Sequence, residues 1–323
     1  MFQYASALGM MLDNARTNLA KGRPLRLCHA LHYEATHHFR LPDGYHGPFA
    51  RECPEGVANA ACGLNCTNAH WEEGFARYTP LDLDGVGANG EGYDARAGVF
   101  IGRHLQSYKY FQDYAPLVRS LFLVPHEEQI AREHLDTLLS PLWEGMTRNE
   151  LFEYAVVGIH IRRDRFEEEL YSEHPQRQFP PDEYFHRAMT SFENAQPDRK
   201  VMYVAVASDA DRAWMENNNP LYFSHLTGEN SVHTRLGRAG PVFDLALLSQ
   251  CDAVISTLGS YGWWANWASA NRGGTAVYYR DQFVMDHPNN EDGKFKAEDY
   301  WPRDWTGIGD EELGIGSKVK RSS

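Results

Sequence analysis

The sequence predicts an α/β fold whose second half forms a parallel, doubly wound sheet. Two apolar runs, residues 155–161 and 201–207, have the length and composition of buried strands. Helical patterns separate them from a further strand candidate at 253–256. Strands that alternate with helices form parallel sheets, because each connecting helix packs back onto the sheet. Ligands of such sheets bind at the carboxyl ends of the strands, so the residues after each strand are the first candidates for a site.

The first half of the chain is less regular. Its expected elements are a helix, a short strand and a region of loops over an acceptor cleft, at 1–21, 24–31 and 42–89. Residues 126–143 carry alanine and leucines at helical spacing, and a linker is expected at 145–153. The linker predicts an N-terminal domain at 1–145 and a C-terminal domain at 146–323.

The second half contains further predicted elements. A helix is expected from Pro181, since proline and acidic residues favour the first turn of a helix. Ser208 is expected to cap another helix, with Asp211 as its capping-box partner. The remaining predicted elements are a strand, two helices and a last strand, at 221–226, 244–250, 262–270 and 275–279.

The composition excludes two classes of protein. The chain has 323 residues, 42% of them hydrophobic, which is typical of a globular protein and not of a disordered one. Its formal net charge is -13 at pH 7, which excludes non-specific binding of nucleic acid. No stretch reaches the ~20 apolar residues of a membrane-spanning helix, and the N-terminus lacks the basic region of a signal peptide.

The cysteines leave three interpretations open. Cys53, Cys62 and Cys66 lie close together, and His70 follows them, but the spacing fits no standard zinc-finger pattern. A disulfide in a secretory compartment fits better, and unpaired cysteines are an equal alternative. Asn65 begins a formal N-glycosylation sequon, which points weakly to the same compartment.

Two arginines follow the strand at 155–161. Alternation places His160 and Arg162 on one face and Arg163 on the other, but at the strand end both guanidiniums can reach into a crevice. Arginine makes bidentate contacts to phosphate oxygens and keeps its charge when it loses water. The pair therefore predicts a diphosphate site, and the alternative is a surface ion pair with Asp164 or Glu167.

A loop with two glycines follows the strand at 253–256. Gly259, Ser260, Tyr261, Gly262 and Trp263 open a helix, and the backbone N–H groups at a helix N-terminus form an anion site. The spacing is neither a Walker nor a dinucleotide fingerprint. The alternative is a tight turn in which Ser260 caps the helix and the tryptophans belong to the core.

A metal site is a third possibility. Asp209 and Asp211 follow the strand at 201–207, and such a pair can hold Mn²⁺ or Mg²⁺ against a diphosphate. The cap assigned to Asp211 explains the same residues more simply. Since paired arginines and a metal neutralise the same charge, we expect no metal.

The motifs form an ordered set. Gly158-Ile-His-Ile-Arg-Arg163 resembles the Gly-Val-His-Val/Ile-Arg-Arg-Gly-Asp motif of the alpha-1,2-fucosyltransferases, the galactoside 2-alpha-L-fucosyltransferase family (glycosyltransferase family 11). The other segments that resemble this family's motifs, in the same order, are Met1–Ala5, Ala207–Asp209 with Trp214, Asp244–Cys251, Thr257–Ala265 and Trp301–Gly307. The resemblance thus spans nearly the whole chain, apart from 42–89.

The resemblance implies an activity, a fold and a location. It implies an inverting transfer of L-fucose from GDP-L-fucose to the 2-hydroxyl of a terminal galactose in a glycan, without metal or other cofactor. It implies a GT-B-like fold of two Rossmann-like domains, of which the N-terminal one lacks its first strand and the Gly-Asn turn before Met1. It implies the lumenal side of the Golgi membrane, with any anchor outside this chain.

The resemblance also implies roles for the strand ends. His160, Arg162 and Arg163 are the expected catalytic residues, because they lie where the departing GDP gains negative charge. Asp209 or Asp244 would accept hydrogen bonds from guanine or ribose. The general base is expected from the N-terminal half or from His160. The expected donor-binding residues are His160, Arg162, Arg163, Asp209, Asp244, Gly259, Ser260, Tyr261, Gly262 and Trp263.

Two alternatives stay open. A protein O-fucosyltransferase or core fucosyltransferase would share the arginine-rich strand end. A sugar-nucleotide-binding pseudotransferase without turnover is the other alternative, because Asp164-Arg165 replaces the family's Gly-Asp after the arginine pair.

Overall fold

The chain divides into two compact units. The first contains Met1–Val124 and Pro288–Arg303, and the second contains Pro125–His287 and Asp304–Ser323. The predicted domains, 1–145 and 146–323, stay a prediction. The computed structural model describes residues 2, 5–6, 8–10, 12–13, 27–29, 50–52, 68–70, 78, 99–101, 105–123, 125–143, 154–162, 179–207, 231–233, 241–257, 259–270, 273–283 and 295–314.

The described elements are short in the first unit and longer in the second. The strands are β1 (Leu27–His29), β2 (Ala50–Glu52), β3 (Asn68–His70), β4 (Val99–Ile101), β5 (Tyr154–Ile161), β6 (Lys200–Ala207), β7 (Ser231–His233), β8 (Ala253–Ser256), β9 (Thr275–Tyr279) and β10 (Thr306–Ile308). The helices are α1 (Ala115–Phe122), α2 (Pro125–Trp143), α3 (Asp182–Ala195), α4 (Pro241–Ser249), α5 (Ser260–Ala270) and α6 (Ala297–Tyr300). Helical residues also occur between Phe2 and Asp13, and 3-10 turns occur at Tyr108–Tyr110, Gln112–Tyr114 and Arg280–Gln282.

The described part of the second unit contains a six-stranded sheet in the order β10-β9-β8-β5-β6-β7. Each pair of neighbouring strands is parallel. The α/β fold with a parallel sheet is therefore confirmed. The predicted strands at 155–161, 201–207, 253–256 and 275–279 are all present, with bounds that differ by at most one residue.

Other elements differ from the prediction or were not expected. The predicted strand at 221–226 and the predicted cap at Ser208 lie outside the described residues. The short edge strands β7 and β10 were not predicted, since three residues are too few to show a period. In the first unit, β2 and β3 lie inside the region expected to be loops with short elements.

Helices cover both faces of the sheet. On one face, α3 packs against alternate residues of the strands, and the side chains of Ile159, Tyr184 and Phe185 are at most 1% exposed. On the other face, α4 approaches β5 so closely that Gly158 has no room for a side chain beside Leu248. Each large apolar side chain buried in this way contributes about 1.5–3 kcal/mol, which holds the strand ends in fixed positions.

The first unit contains two pairs of short strands and a buried carboxylate with several hydrogen bonds. Its short strands pair in parallel, β1 with β2 and β3 with β4. The segment that contains α6 belongs to this unit, and Asp299 anchors it there. The buried carboxylate of Asp299 accepts from the Tyr78 N–H at 2.8 Å and pairs with Lys109 Nζ at 2.5 Å, while its main-chain carbonyl accepts from Ser107 Oγ at 2.6 Å.

The contact of β5 with α4 gives a test of the packing. A Cβ atom on Gly158 would lie 2.7 Å from Leu248 Cδ2 and 3.1 Å from Cys251 Sγ. We expect Gly158→Ala to lower the free energy of unfolding by about 1–3 kcal/mol, because the added methyl overpacks this side of the sheet. Urea unfolding followed by circular dichroism measures the change.

The double variant Gly158→Ala with Leu248→Ala is the control. Removing the Leu248 side chain makes room for the new methyl, so the two effects should partly cancel instead of adding. If the losses of unfolding free energy from the two changes are strictly additive, the methyl at position 158 and the Leu248 side chain do not contact each other.

Candidate functional site

The strand order reverses between β5 and β8. The chain leaves β5 toward β6 and β7, then returns to place β8 on the other side of β5. The two strands pair from Val157 and Ala253 to His160 and Ser256. In doubly wound sheets, ligands bind at the carboxyl ends of the strands where the order reverses. The residues that follow β5 and β8 therefore surround the candidate site.

Arg162 is the residue directly after β5, and its side chain is partly buried. Its backbone N–H donates to Thr257 Oγ1 at 3.3 Å, and the Thr257 N–H donates to the His160 carbonyl at 3.2 Å. The Arg162 guanidinium charge acts on His160, whose pKa is lowered mainly by burial and further by this charge, and on the Tyr261 hydroxyl. The structure thus brings together Arg162 and two other residues of the predicted site.

His160 is a buried, neutral imidazole. Its side chain is 5% exposed, and its ring centroid lies 4.9 Å from that of Tyr261. Burial, with a smaller contribution from the charge of Arg162, lowers its pKa to about 3. Within the described residues, Nδ1 is buried and has no hydrogen-bond partner. Such a low pKa makes His160 a weak base near neutral pH.

The loop after β8 leads directly into α5. Gly259 has a φ of 94°, a conformation that favours glycine, and its carbonyl accepts from the Trp263 N–H at 3.2 Å. The first N–H groups of a helix have no partner within the helix. They form the positive end of the helix dipole and can bind an anion. The predicted start at Gly262 is two residues late, since α5 begins at Ser260.

Gly262 lets the first turn of α5 approach the ends of both strands. A Cβ atom there would lie 3.0 Å from the Ser256 Cβ and 3.1 Å from His160 Nδ1. A side chain at this position would push the helix away from β5 and β8. The glycine therefore keeps the helix N-terminus beside the strand ends.

Two predicted donor-binding side chains are packed against the protein. The hydroxyl of Tyr261 donates to the Pro241 carbonyl at 2.6 Å, and burial raises its pKa well above the usual value. Trp263 is 1% exposed, and its ring centroid lies 5.1 Å from both Trp264 and Trp305. For Trp263 this is the core position named as the alternative above. Contacts of either side chain with a donor stay predictions.

Asp244 lies in the first turn of α4, at the helix that provides the Pro241 carbonyl. Its charge acts on the hydroxyl of Tyr261, so the two side chains lie near each other. Loss of water raises the pKa of its carboxyl to about 7. Asp244 is thus a carboxyl whose charge changes near neutral pH.

Several predicted residues lie outside the described part of the chain. These are Arg163, Asp209, Asp211 and the sequon residue Asn65. Among the described residues, no cluster of three or more histidines, cysteines or carboxylates is placed to hold a metal. Cys251 is buried, whereas the cysteine cluster at 53–66 lies outside the described residues. None of the helices in the described ranges is long and apolar enough to cross a membrane.

The sequence prediction missed a polar network beneath the site. The Tyr184 hydroxyl donates to the Ser256 carbonyl at 2.7 Å, and Asn266 Nδ2 donates to Ser256 Oγ at 2.9 Å and to the Val277 carbonyl at 3.1 Å. Asn266 is fully buried. The available signal was a polar residue at an apolar position, which in a folded protein needs a buried partner.

Comparison with known proteins places the chain in a family. Residues 132–309, more than half of the chain, match the sequence model described as glycosyl transferase family 11. A Caenorhabditis elegans protein named galactoside 2-alpha-L-fucosyltransferase is 26% identical over 215 residues. The matched region is 65% of this chain and 53% of that protein, so the chain spans about half the length of the relative. The matched family segment contains β5, α4, β8 and α5.

The raised pKa of Asp244 predicts a pH effect on stability. Its carboxyl has a pKa of about 7 when folded, against 3.8 for a free side chain. The folded state therefore binds this proton more tightly, and stability from this group is lost as pH rises toward 7. We expect the free energy of unfolding, relative to Asp244→Asn, to fall by about 1 kcal/mol between pH 5 and pH 8. The fall is smaller than for a fully buried carboxyl, because solvent screens this partly buried one.

Urea unfolding of both proteins at the two pH values measures this difference. Asp136→Asn, the same change on the exposed surface of α2, is the control for loss of a carboxylate. An unchanged difference between wild type and Asp244→Asn would show that Asp244 is solvated in the folded protein.

Proposed function

We propose that this chain, which belongs to glycosyl transferase family 11, is a fucosyltransferase that moves L-fucose from GDP-L-fucose to the 2-hydroxyl of a terminal galactose. One observation carries the proposal. The end of β5, with His160 and Arg162, lies beside the end of β8 and the N-terminus of α5, where the strand order reverses. A cationic side chain and unpaired helix N–H groups at such a place suit a nucleoside diphosphate.

The diphosphate would be held from two directions. Arg162, joined by Arg163 after the strand, would contact oxygens of one phosphate through its planar guanidinium. The backbone of Gly259–Gly262 would hold the other phosphate at the N-terminus of α5. The backbones of Arg162 and of the first turn of α5 extend from elements that are packed in the core. Little ordering free energy is then lost on binding.

The nucleoside would extend toward α4. Asp244 would accept hydrogen bonds from the guanine or ribose, and Asp209 is the alternative acceptor. A partly buried carboxylate that finds a donor recovers part of the free energy it loses by leaving water. Donor binding should therefore favour the ionised form of Asp244.

The reaction would proceed with inversion and without a metal. Fucose leaves GDP through a transition state in which the diphosphate gains negative charge, and Arg162 and Arg163 would stabilise that charge in place of a cation. His160 would add a hydrogen bond instead of a charge, since its pKa of about 3 keeps it neutral. For the same reason the proposal assigns the general base to the N-terminal half of the chain.

The remaining features of the proposal follow from family resemblance. They are a GT-B-like pair of Rossmann-like domains, a galactose-terminated glycan as acceptor, and a lumenal Golgi location. The acceptor agrees with the name of the Caenorhabditis elegans relative. The second unit carries the residues proposed for the donor.

The role of Arg162 can be tested directly. We expect Arg162→Ala to abolish fucosyl transfer to a galactoside such as lactose and to weaken GDP binding by about 2–4 kcal/mol, because a charge-assisted contact is lost. Calorimetric titration with GDP and release of GDP from GDP-fucose measure the two effects. Arg162→Lys keeps the charge but not the planar fork, so it should recover only part of the affinity.

Arg132→Ala is the matched control, since it removes an arginine from the exposed surface of α2 in the same unit. Unchanged GDP affinity in Arg162→Ala would contradict the donor site. Normal GDP binding by the wild type without transfer to any galactoside would favour the alternative of a sugar-nucleotide-binding pseudotransferase.

The metal independence has its own test. We expect transfer to continue in excess EDTA, because arginines and helix N–H groups balance the diphosphate charge. The measurement is the initial rate with and without chelator. A rate lost in EDTA and restored by Mn²⁺ or Mg²⁺ would instead assign Asp209 and Asp211 to a metal site.

A further inference from the structure

We propose that Thr257 is a positioning residue that holds Arg162 in place for the donor diphosphate. The inference rests on the proposed function, because it concerns the same site. Thr257 follows β8 directly and is 1% exposed. It contacts the end of β5 at two points, through its backbone N–H and through its side-chain hydroxyl.

The two contacts fit the geometry of a parallel ladder. In such a ladder a bridging residue donates its N–H to one residue of the neighbouring strand, and its carbonyl accepts from the residue two positions further on. The Thr257 N–H donates to the His160 carbonyl as the ladder requires, at 3.2 Å. The next acceptor for Arg162 would be the Thr257 carbonyl. Thr257 Oγ1 takes that position instead, at 3.3 Å.

Because the hydroxyl accepts in place of the carbonyl, the two strands can separate here without losing a hydrogen bond. Beyond Thr257 the chain turns through Gly259, whose φ is 94°, into α5. A main-chain carbonyl cannot both follow this turn and continue a ladder. Because the hydroxyl accepts in its place, β5 stays attached as far as Arg162 while β8 diverges. The retained bond fixes the backbone from which the guanidinium extends.

The hydroxyl also matters because its surroundings are dry. The Arg162 N–H is itself part-buried. A backbone N–H that loses its acceptor in such a place is destabilising, so the Arg162 backbone would move toward another partner if the hydroxyl were absent. Such a movement changes the direction of the Arg162 side chain without removing its charge. Loss of the Thr257 hydroxyl is therefore expected to weaken binding of the diphosphate, although Thr257 itself does not contact the diphosphate.

The experiment compares variants that differ in this one oxygen. Thr257→Val keeps the shape and removes the acceptor, Thr257→Ala removes it in a smaller side chain, and Thr257→Ser keeps it. We expect the first two to weaken GDP binding about three- to tenfold, the range of one ordinary hydrogen bond, and Thr257→Ser to bind as the wild type does. Calorimetric titration measures the affinity, and steady-state kinetics should show KM for GDP-fucose raised in the same ratio.

Ser269→Ala is the matched control. Its hydroxyl is equally buried and donates to the Cys251 carbonyl at 3.0 Å, at the opposite end of β8. It should lower the melting temperature about as much as Thr257→Val does and leave GDP affinity unchanged. If both variants lose equal stability and neither loses affinity, Thr257 is merely structural and the inference is overturned.

Amide exchange separates this inference from the proposed function. The Arg162 N–H should exchange faster in Thr257→Val and Thr257→Ala than in the wild type or Thr257→Ser, and this readout needs no donor. Faster exchange with weaker GDP binding supports the inference. A wild type that binds no GDP overturns the proposed function, and the positioning role with it. A wild type that binds GDP, beside hydroxyl-free variants with unchanged affinity, overturns the positioning role alone.

Discussion

The pairing of β5 with β8 is the constraint on which the site depends. These strands are not consecutive in the chain, and they meet because the sheet grows outward from β5 in both directions. Their ladder, extended by Thr257, fixes His160 and Arg162 relative to the loop that begins α5. Core packing on both faces makes this arrangement rigid, so the strand ends are in place before any ligand binds.

Polar groups in the core follow from the same constraint. Strands that end together leave backbone and side-chain polar atoms inside the protein, and these need partners. Asn266 and Tyr184 donate hydrogen bonds to Ser256 beneath the site. Gly262 lets the N-terminus of α5 lie beside the ends of β5 and β8. The cost of burial appears in His160 and Asp244, both of which have shifted pKa values. Perturbed pKa values that cluster at one sheet edge are typical of functional sites.

Much of the second unit was predictable because its strands are long or wholly apolar. The patterns at β5, β6, β8 and β9 identified each strand to within one residue, and alternation placed His160 and Arg162 on a shared face. In the structure the His160 ring packs against the Tyr261 ring, and the charge of Arg162 acts on the Tyr261 hydroxyl. What was missed is short or depends on a partner far along the chain. Edge strand β10 has only three residues. The buried Asn266 can be explained only by its hydrogen bonds to Ser256 and Val277.

Periodicity and motif order are local properties, and they were enough to predict the fold class, the family and the residue types at the strand ends. The tertiary structure alone decided which strands are neighbours and hence that Arg162 faces the loop after β8. It alone showed that the Thr257 hydroxyl, and not its carbonyl, receives the Arg162 N–H. Strand order and hydrogen-bond partners arise from contacts between residues about a hundred positions apart, and no local pattern records them.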